Sequence, residues 1–181
     1  MSKFLTLMLL FVSLASCKMP EARKPISAKT GSFIDASVER NKNLNAKEQA
    51  TIKKLMEREK KDYIASKSGF WYYYNVKVDV DSLETPEFGD TVNYDYNVKD
   101  LNGSLIYSND DIKDKTYVMD REELFTGLRE GLKLMKTGET VTFLFPSQKA
   151  YGYYGDENKI GTSVPLICEV TVHSITENQP D

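Results

Sequence analysis

Glu123-Leu124-Phe125-Thr126-Gly127-Leu128-Arg129-Glu130-Gly131-Leu132, followed by Met135-Lys136-Thr137-Gly138-Glu139, is the stretch on which the fold turns. Between Glu122 and Met135 the residues Leu124, Phe125, Leu128, Leu132 and Met135 fall on one helical face, and Gly138 stands just past the end. So short a helix with one apolar face needs a sheet to lie on. The chain supplies strands on both sides of it. Upstream, Val92, Tyr94 and Tyr96 alternate with Asn93, Asp95 and Asn97, the period of a half-buried strand, and Asn102-Gly103 signals a tight hairpin before Leu105, Ile106 and Tyr107. Farther upstream, residues 70–80 read Phe-Trp-Tyr-Tyr-Tyr-Asn-Val-Lys-Val-Asp-Val, rich in aromatic and β-branched types. Successive side chains of a strand face opposite sides, so half of these aromatics are assigned to the core rather than to a stacking platform. Downstream, residues 140–145 and 165–175 give two more β-rich runs, separated by the loop Ala150-Tyr151-Gly152-Tyr153-Tyr154-Gly155. Strands, one helix, then strands again describe an α+β domain in which a twisted antiparallel sheet wraps around one short helix.

The N-terminal part is organised differently. Lys3 precedes an apolar run from Phe4 to Leu14, well short of the roughly 20 residues a membrane-spanning helix requires. It reads as a signal peptide. The run ends in Leu14-Ala15-Ser16-Cys17, which looks like a bacterial lipoprotein box, so residues 1–16 are expected to be removed and Cys17 to carry a lipid. Residues 17–43, with Pro20, Pro25 and many polar side chains, show no apolar period and are expected to form a flexible tether. From Asn45 the pattern changes: Ile52, Leu55, Met56, Tyr63 and Ile64 predict an amphipathic helix over residues 46–66, within a segment 44–68. Asn45 and Glu48 fit a capping box and Gly69 a stop. Its apolar stripe either packs on its own domain or serves a partner or dimer. The main domain is expected over residues 69–181.

Composition excludes several function classes. Lys+Arg 24 against Asp+Glu 27 leaves no strong basic field, so nucleic acid is not an expected partner. With Cys17 acylated, Cys168 is the remaining thiol, no intrachain disulfide forms, and Cys168 reads as a small buried apolar residue. His173, the one histidine, has no ligand cluster of metal spacing, so neither a metal nor another cofactor is expected. The pairs Asp110-Asp111 and Glu122-Glu123 are adjacent and do not face each other across a substrate. Gly152 and Gly155 lack the lysine and helix of a phosphate loop.

Taken together, Phe88-Gly89-Asp90-Thr91-Val92, the hairpin at Asn102-Gly103 with Ile106 through Asn109, the helix motif quoted first, Pro146-Ser147 with Ala150-Tyr151-Gly152, and Ile160 with Ser163 through Ile167 resemble the FK506-binding type of peptidyl-prolyl cis/trans isomerase over residues 86–175. The resemblance implies a pocket for a proline-containing peptide. Carried over by position, Tyr96 is its aromatic wall, Leu124 and Phe125 offer main chain to the substrate, Tyr151 gives the hydroxyl above it, and Ile160 closes the rim. Tyr96, Phe125 and Tyr151 are the implied catalytic residues. Ile106 stands where phenylalanine is usual, Tyr107 replaces the pocket aspartate, Leu128 the tryptophan floor and Cys168 a wall phenylalanine, while Thr116-Tyr117 aligns loosely with the aromatic edge. The implied substrate contacts are Ile106, Tyr107, Leu124, Leu128, Ile160 and Cys168.

Such chemistry requires no nucleophile and no metal, because rotating an X-Pro amide crosses a barrier of about 18 to 20 kcal/mol without breaking a bond. The implied function is isomerisation of exported or cell-envelope polypeptides. A catalytically weak chaperone or binding module, and a structural lipoprotein of an envelope machine, are the alternatives. The lipoprotein signal, helical extension and divergent domain together also look like the gliding-motility-associated isomerase lipoproteins, which implies an envelope location and motility components among the clients.

Overall fold

The structure, a computed structural model, describes residues 30–80 and 83–178. Cys17 and the signal segment lie outside the described residues. Contacts divide the chain into two compact units, residues 1–39 and 40–181. The described part of the first is the opening of helix α1 (Thr30–Glu59), with Ile34 and Val38 exposed. Everything below concerns the second.

Among the described residues, seven strands form one antiparallel sheet: β1 (Ile64–Ala65), β2 (Trp71–Val76), β3 (Thr91–Lys99), β4 (Leu105–Tyr107), β5 (Lys115–Val118), β6 (Thr140–Phe145) and β7 (Leu166–Thr176). The order is β1-β2-β6-β7-β3-β4, with β5 pairing the first half of β3 on the edge where β4 pairs its end. Between β4 and β5 lies the short helix α2 (Asn109–Ile112), capped by Ser108, and between β5 and β6 lies α3 (Thr126–Leu132). Every second residue of β3 is buried, as the alternation of Val92, Tyr94, Tyr96 and Val98 requires. These side chains meet Val141, Phe143 and Phe145 of β6, Cys168 and Val170 of β7, and Leu128 and Leu132 of α3 in the main core.

The sheet is covered on its other face too. Leu144 forms a second cluster with Ile52 and Leu55 of α1, joined by Trp71 and Tyr63. This explains why β6 reads Phe143-Leu144-Phe145 without alternation: both of its faces are buried. Burying Ile52 and Leu55 contributes about 1.5 to 3 kcal/mol each. The aromatic strand obeys the same geometry. Tyr72 and Tyr74 pack on the main core, Trp71 on the second cluster, and Tyr73 edge-on to Tyr63 at 5.0 Å.

Several expectations are corrected. The N-terminal helix starts at Thr30 rather than near residue 46, so residues 30–43 are helical and not a tether, since no proline or glycine interrupts residues 32–68. It ends at Glu59, where Lys60 takes a left-handed φ of 53°, so Tyr63 and Ile64 leave it and Ile64 pairs with Tyr72 instead. Gly69, with φ of 86°, serves the turn between β1 and β2, and Asn45 is a mid-helix residue rather than a cap. With Ile52 and Leu55 buried on the sheet, the stripe considered for a partner or dimer is already covered. The central helix is also shorter than residues 122–135: Leu124 and Phe125 precede it, and Met135 is reached through tight turns onto Gly131 and Leu132.

Candidate functional site

Helix α3 enters the site through its first turn. Phe125 is the last extended residue (φ −61°, ψ 140°), and its carbonyl accepts the first helical bond from the Arg129 N–H at 3.1 Å. Leu124 and Phe125 consequently face a cleft of about 520 Å³ lined by Glu122, Glu123, Leu124, Phe125, Arg129 and Tyr151. Tyr151 reaches it from the segment beyond a 3-10 turn at Ser147–Lys149 that follows β6. The Phe125 ring sits 5.0 Å from that of Tyr151 and 5.5 Å, edge-on, from that of Phe145.

All nine residues assigned to the pocket from sequence join one hydrophobic cluster. They occupy different depths. Leu124, Phe125 and Tyr151 line the cleft, whereas Tyr96, Leu128, Ile160 and Cys168 are buried beneath it, and Ile106 and Tyr107 are half-buried alongside. Register explains the lower layer: β3 and β7 pair Tyr96 with Val170 and Val98 with Cys168, which sets Tyr96 and Cys168 on neighbouring strands of the inner face. Tyr94 and Tyr96 stack with centroids 5.7 Å apart.

The layer beneath the cleft is apolar and its titratable groups are held neutral. Burial pushes the Tyr96 phenol well above its ordinary range, helped by the neighbouring Tyr151 and Tyr94, and burial likewise raises Tyr151 and Cys168. Raised in this way, the Tyr151 phenol keeps its proton at neutral pH.

Sequence reasoning missed Asp156, which has no motif of its own. Tyr107 donates to its carboxylate at 2.5 Å, and the same side chain accepts from the main-chain N–H of Ile160 at 2.7 Å and of Asn158 at 3.0 Å. Burial alone would raise the Asp156 carboxyl, but these donors hold it below the usual carboxylate range. A depressed carboxylate pKa means that the latch is complete above the ordinary range and is lost as pH falls through the lowered value. Tyr107, raised by burial and by Asp156, keeps its proton at neutral pH. The carboxylate beside position 107 thus comes from the rim loop, not from β4. Lys159 adds its ammonium over the Tyr107 ring at 4.7 Å.

Glu122 and Glu123, set aside as a catalytic pair, line the mouth with Arg129. His173 is remote from the cleft on the outer face of the sheet, its Nε2 2.7 Å from Asp95 Oδ2. Asp114 joins them, so that one imidazole and two carboxylates of metal-ligand type lie within 4.8 Å of one another. Their juxtaposition depends on the β3–β5 and β3–β7 registers and on the bulge beside Tyr94, none of which linear spacing displays.

Two solved structures share this fold. A peptidyl-prolyl cis-trans isomerase from Pseudomonas syringae pv. tomato matches at TM-score 0.56 and 19% identity, over 79% of this chain and 96% of that one. FkpA from Escherichia coli matches at TM-score 0.56 and 21% identity, over 97% of this chain and 82% of that one. The family model described as FKBP-type peptidyl-prolyl cis-trans isomerase matches residues 83–173, the span that carries β3 through the cleft to β7. With half of its length so matched, this chain belongs to the FKBP-type peptidyl-prolyl cis-trans isomerase family.

Proposed function

We propose that the protein catalyses cis/trans isomerisation of X-Pro bonds in exported polypeptides, with the prolyl ring held in the cleft that Leu124, Phe125 and Tyr151 line. The observation that carries this reading is a cleft walled by Leu124, Phe125 and Tyr151 over a buried floor of Tyr96, Leu128 and Cys168. A planar amide is stabilised by charge separation between oxygen and nitrogen, so an apolar environment favours the twisted, less polar transition state relative to it. The Tyr151 hydroxyl supplies one directed donor, with Ile106 and Tyr107 half-buried alongside the cleft and Ile160 buried beneath it. Uncatalysed rotation takes tens to hundreds of seconds, slow enough to limit folding.

A protease-coupled assay on a short proline peptide tests the reading directly. Tyr151→Phe keeps the ring and loses one hydrogen bond of about 0.5 to 1.5 kcal/mol, so kcat/KM is expected to fall roughly two- to tenfold. Because Tyr96, Tyr151 and Cys168 all titrate above their ordinary ranges and Asp156 below its own, kcat/KM is expected to be flat between about pH 6 and 8. A steep pH dependence abolished by His173→Ala would refute catalysis by an apolar cleft without a titrating group.

A second reading, a peptide-binding chaperone with little turnover, is favoured by the commitment of the Tyr107 hydroxyl to Asp156, where the resemblance implies a free pocket carboxylate. Peptide binding without isomerisation is its signature. For location, we propose a cell-envelope protein anchored through a lipid on Cys17, with residues 69–181 as the catalytic part and motility components of gliding bacteria among its clients. The support is the Leu14-Ala15-Ser16-Cys17 box; among the described residues no helix is long and apolar enough to cross a membrane. Cys17→Ser is expected to move the protein from the membrane fraction to the soluble one, and unchanged fractionation would overturn the anchor.

A further inference from the structure

Glu48 is an acidic residue of α1 that is only 6% exposed. A carboxylate withdrawn from water is costly unless its oxygens find donors. Both do, and on one residue: Oε2 accepts from the Ser147 main-chain N–H at 2.9 Å, and Oε1 from the Ser147 hydroxyl at 2.7 Å. One helical turn earlier, Asn45 donates to the Gln148 side chain at 3.2 Å. The helix thus grips the start of the segment that leads from β6 into the cleft.

What Ser147 does next makes this grip consequential. Its carbonyl accepts the Ala150 N–H at 3.0 Å and the Gly152 N–H at 2.8 Å, the two residues that flank Tyr151. Ser147 is itself buried, so these bonds are sheltered from water. Tyr151 is suspended between two amides fixed to one carbonyl, and the residue bearing that carbonyl is fixed by Glu48. From this chain of contacts we infer that Glu48 is a positioning residue for Tyr151, setting where its hydroxyl stands over the cleft and making the prolyl site depend on the N-terminal helix. The inference rests on the isomerase reading of the cleft. It differs from simple helix docking, which Ile52 and Leu55 provide by packing on Leu144.

The test compares full-length Glu48→Ala, Glu48→Gln and Ile52→Ala with the parent chain. Two readouts are taken at a temperature where all are folded: the ring resonance of Tyr151 in tyrosine-labelled protein, identified by its loss in Tyr151→Phe, and kcat and KM on a proline peptide. Glu48→Ala is expected to shift the Tyr151 resonance and to lower kcat about fivefold with KM within about twofold. Glu48→Gln, which retains an acceptor for Ser147, is expected to recover most of both. Ile52→Ala is expected to lower the melting temperature more than Glu48→Ala does, while leaving the Tyr151 resonance and kcat near the parent values. An unmoved Tyr151 resonance in Glu48→Ala, or equal losses of kcat in Glu48→Ala and Ile52→Ala, overturns the inference. If the parent chain binds the peptide but does not isomerise it, the isomerase reading fails, and the resonance alone decides whether Glu48 positions Tyr151.

Discussion

Gly127→Ala is expected to destabilise the fold by about 3 kcal/mol, the upper part of the range for forcing an extra carbon into a packed core. A Cβ on Gly127 would stand 2.5 Å from the Phe145 ring and 2.6 Å from the Lys149 carbonyl oxygen. The ring can turn, but the carbonyl is main chain within the segment that carries Tyr151, and α3 must then lift from both. In a domain of this size the loss corresponds to a fall in Tm of roughly 6 to 12 °C, measured by circular dichroism or calorimetry. Gly131→Ala is the internal control. Its Cβ would meet the side chain of Phe143 at 3.0 Å, a contact that a ring can relieve by a few tenths of an ångström, and alanine recovers about 0.5 to 1 kcal/mol of helix propensity. A Gly127→Ala protein melting with the parent would show that α3 does not approach β6 and the 3-10 turn as closely as described.

That close approach also explains what was legible in the sequence. Thr126-Gly127-Leu128 and Gly131-Leu132 are spaced so that leucines fill the core while glycines let the helix backbone near Phe145 and Phe143, and the motif could be read before any coordinates. Strands β3, β6 and β7 were equally plain, because alternation in Thr91–Lys99 and continuous burial in Thr140–Phe145 follow from one or two covered faces. Local patterning fails where structure is settled by distant partners. The start of α1 was misplaced because a polar helix carries no apolar period, and its end because Tyr63 and Ile64 keep helical spacing while pairing with β2 and packing on Tyr73. Glu48 looked like a capping residue; its partner lies 99 positions away. Asp156 could not be found by spacing at all, since only the fold brings it to Tyr107.

Phe125→Ala is expected to produce the largest loss of activity, on the order of 20-fold or more in kcat/KM, equivalent to roughly 2 kcal/mol of transition-state stabilisation. Three roles meet in this residue. Its ring forms cleft wall beside Tyr151, it props Phe145 edge-on, and its main chain makes the step from extended to helical conformation. Truncation removes the first two and admits water beside the amide, so the apolar environment that favours the twisted state is weakened from one side. The stability cost is expected to be about 2 kcal/mol, below the 3 to 5 typical of a fully buried phenylalanine, because Phe125 is only partly buried. Activity is therefore to be compared only after circular dichroism and melting show that the variant is folded at the assay temperature. Phe125→Leu separates apolar volume from aromatic shape: leucine keeps water out of the wall and is expected to hold kcat/KM within about fivefold of the parent. A folded Phe125→Ala protein retaining activity within twofold would place the rotating amide elsewhere. A loss equal in Phe125→Leu and Phe125→Ala would instead make the ring face against Tyr151, not exclusion of water, the decisive property of this wall.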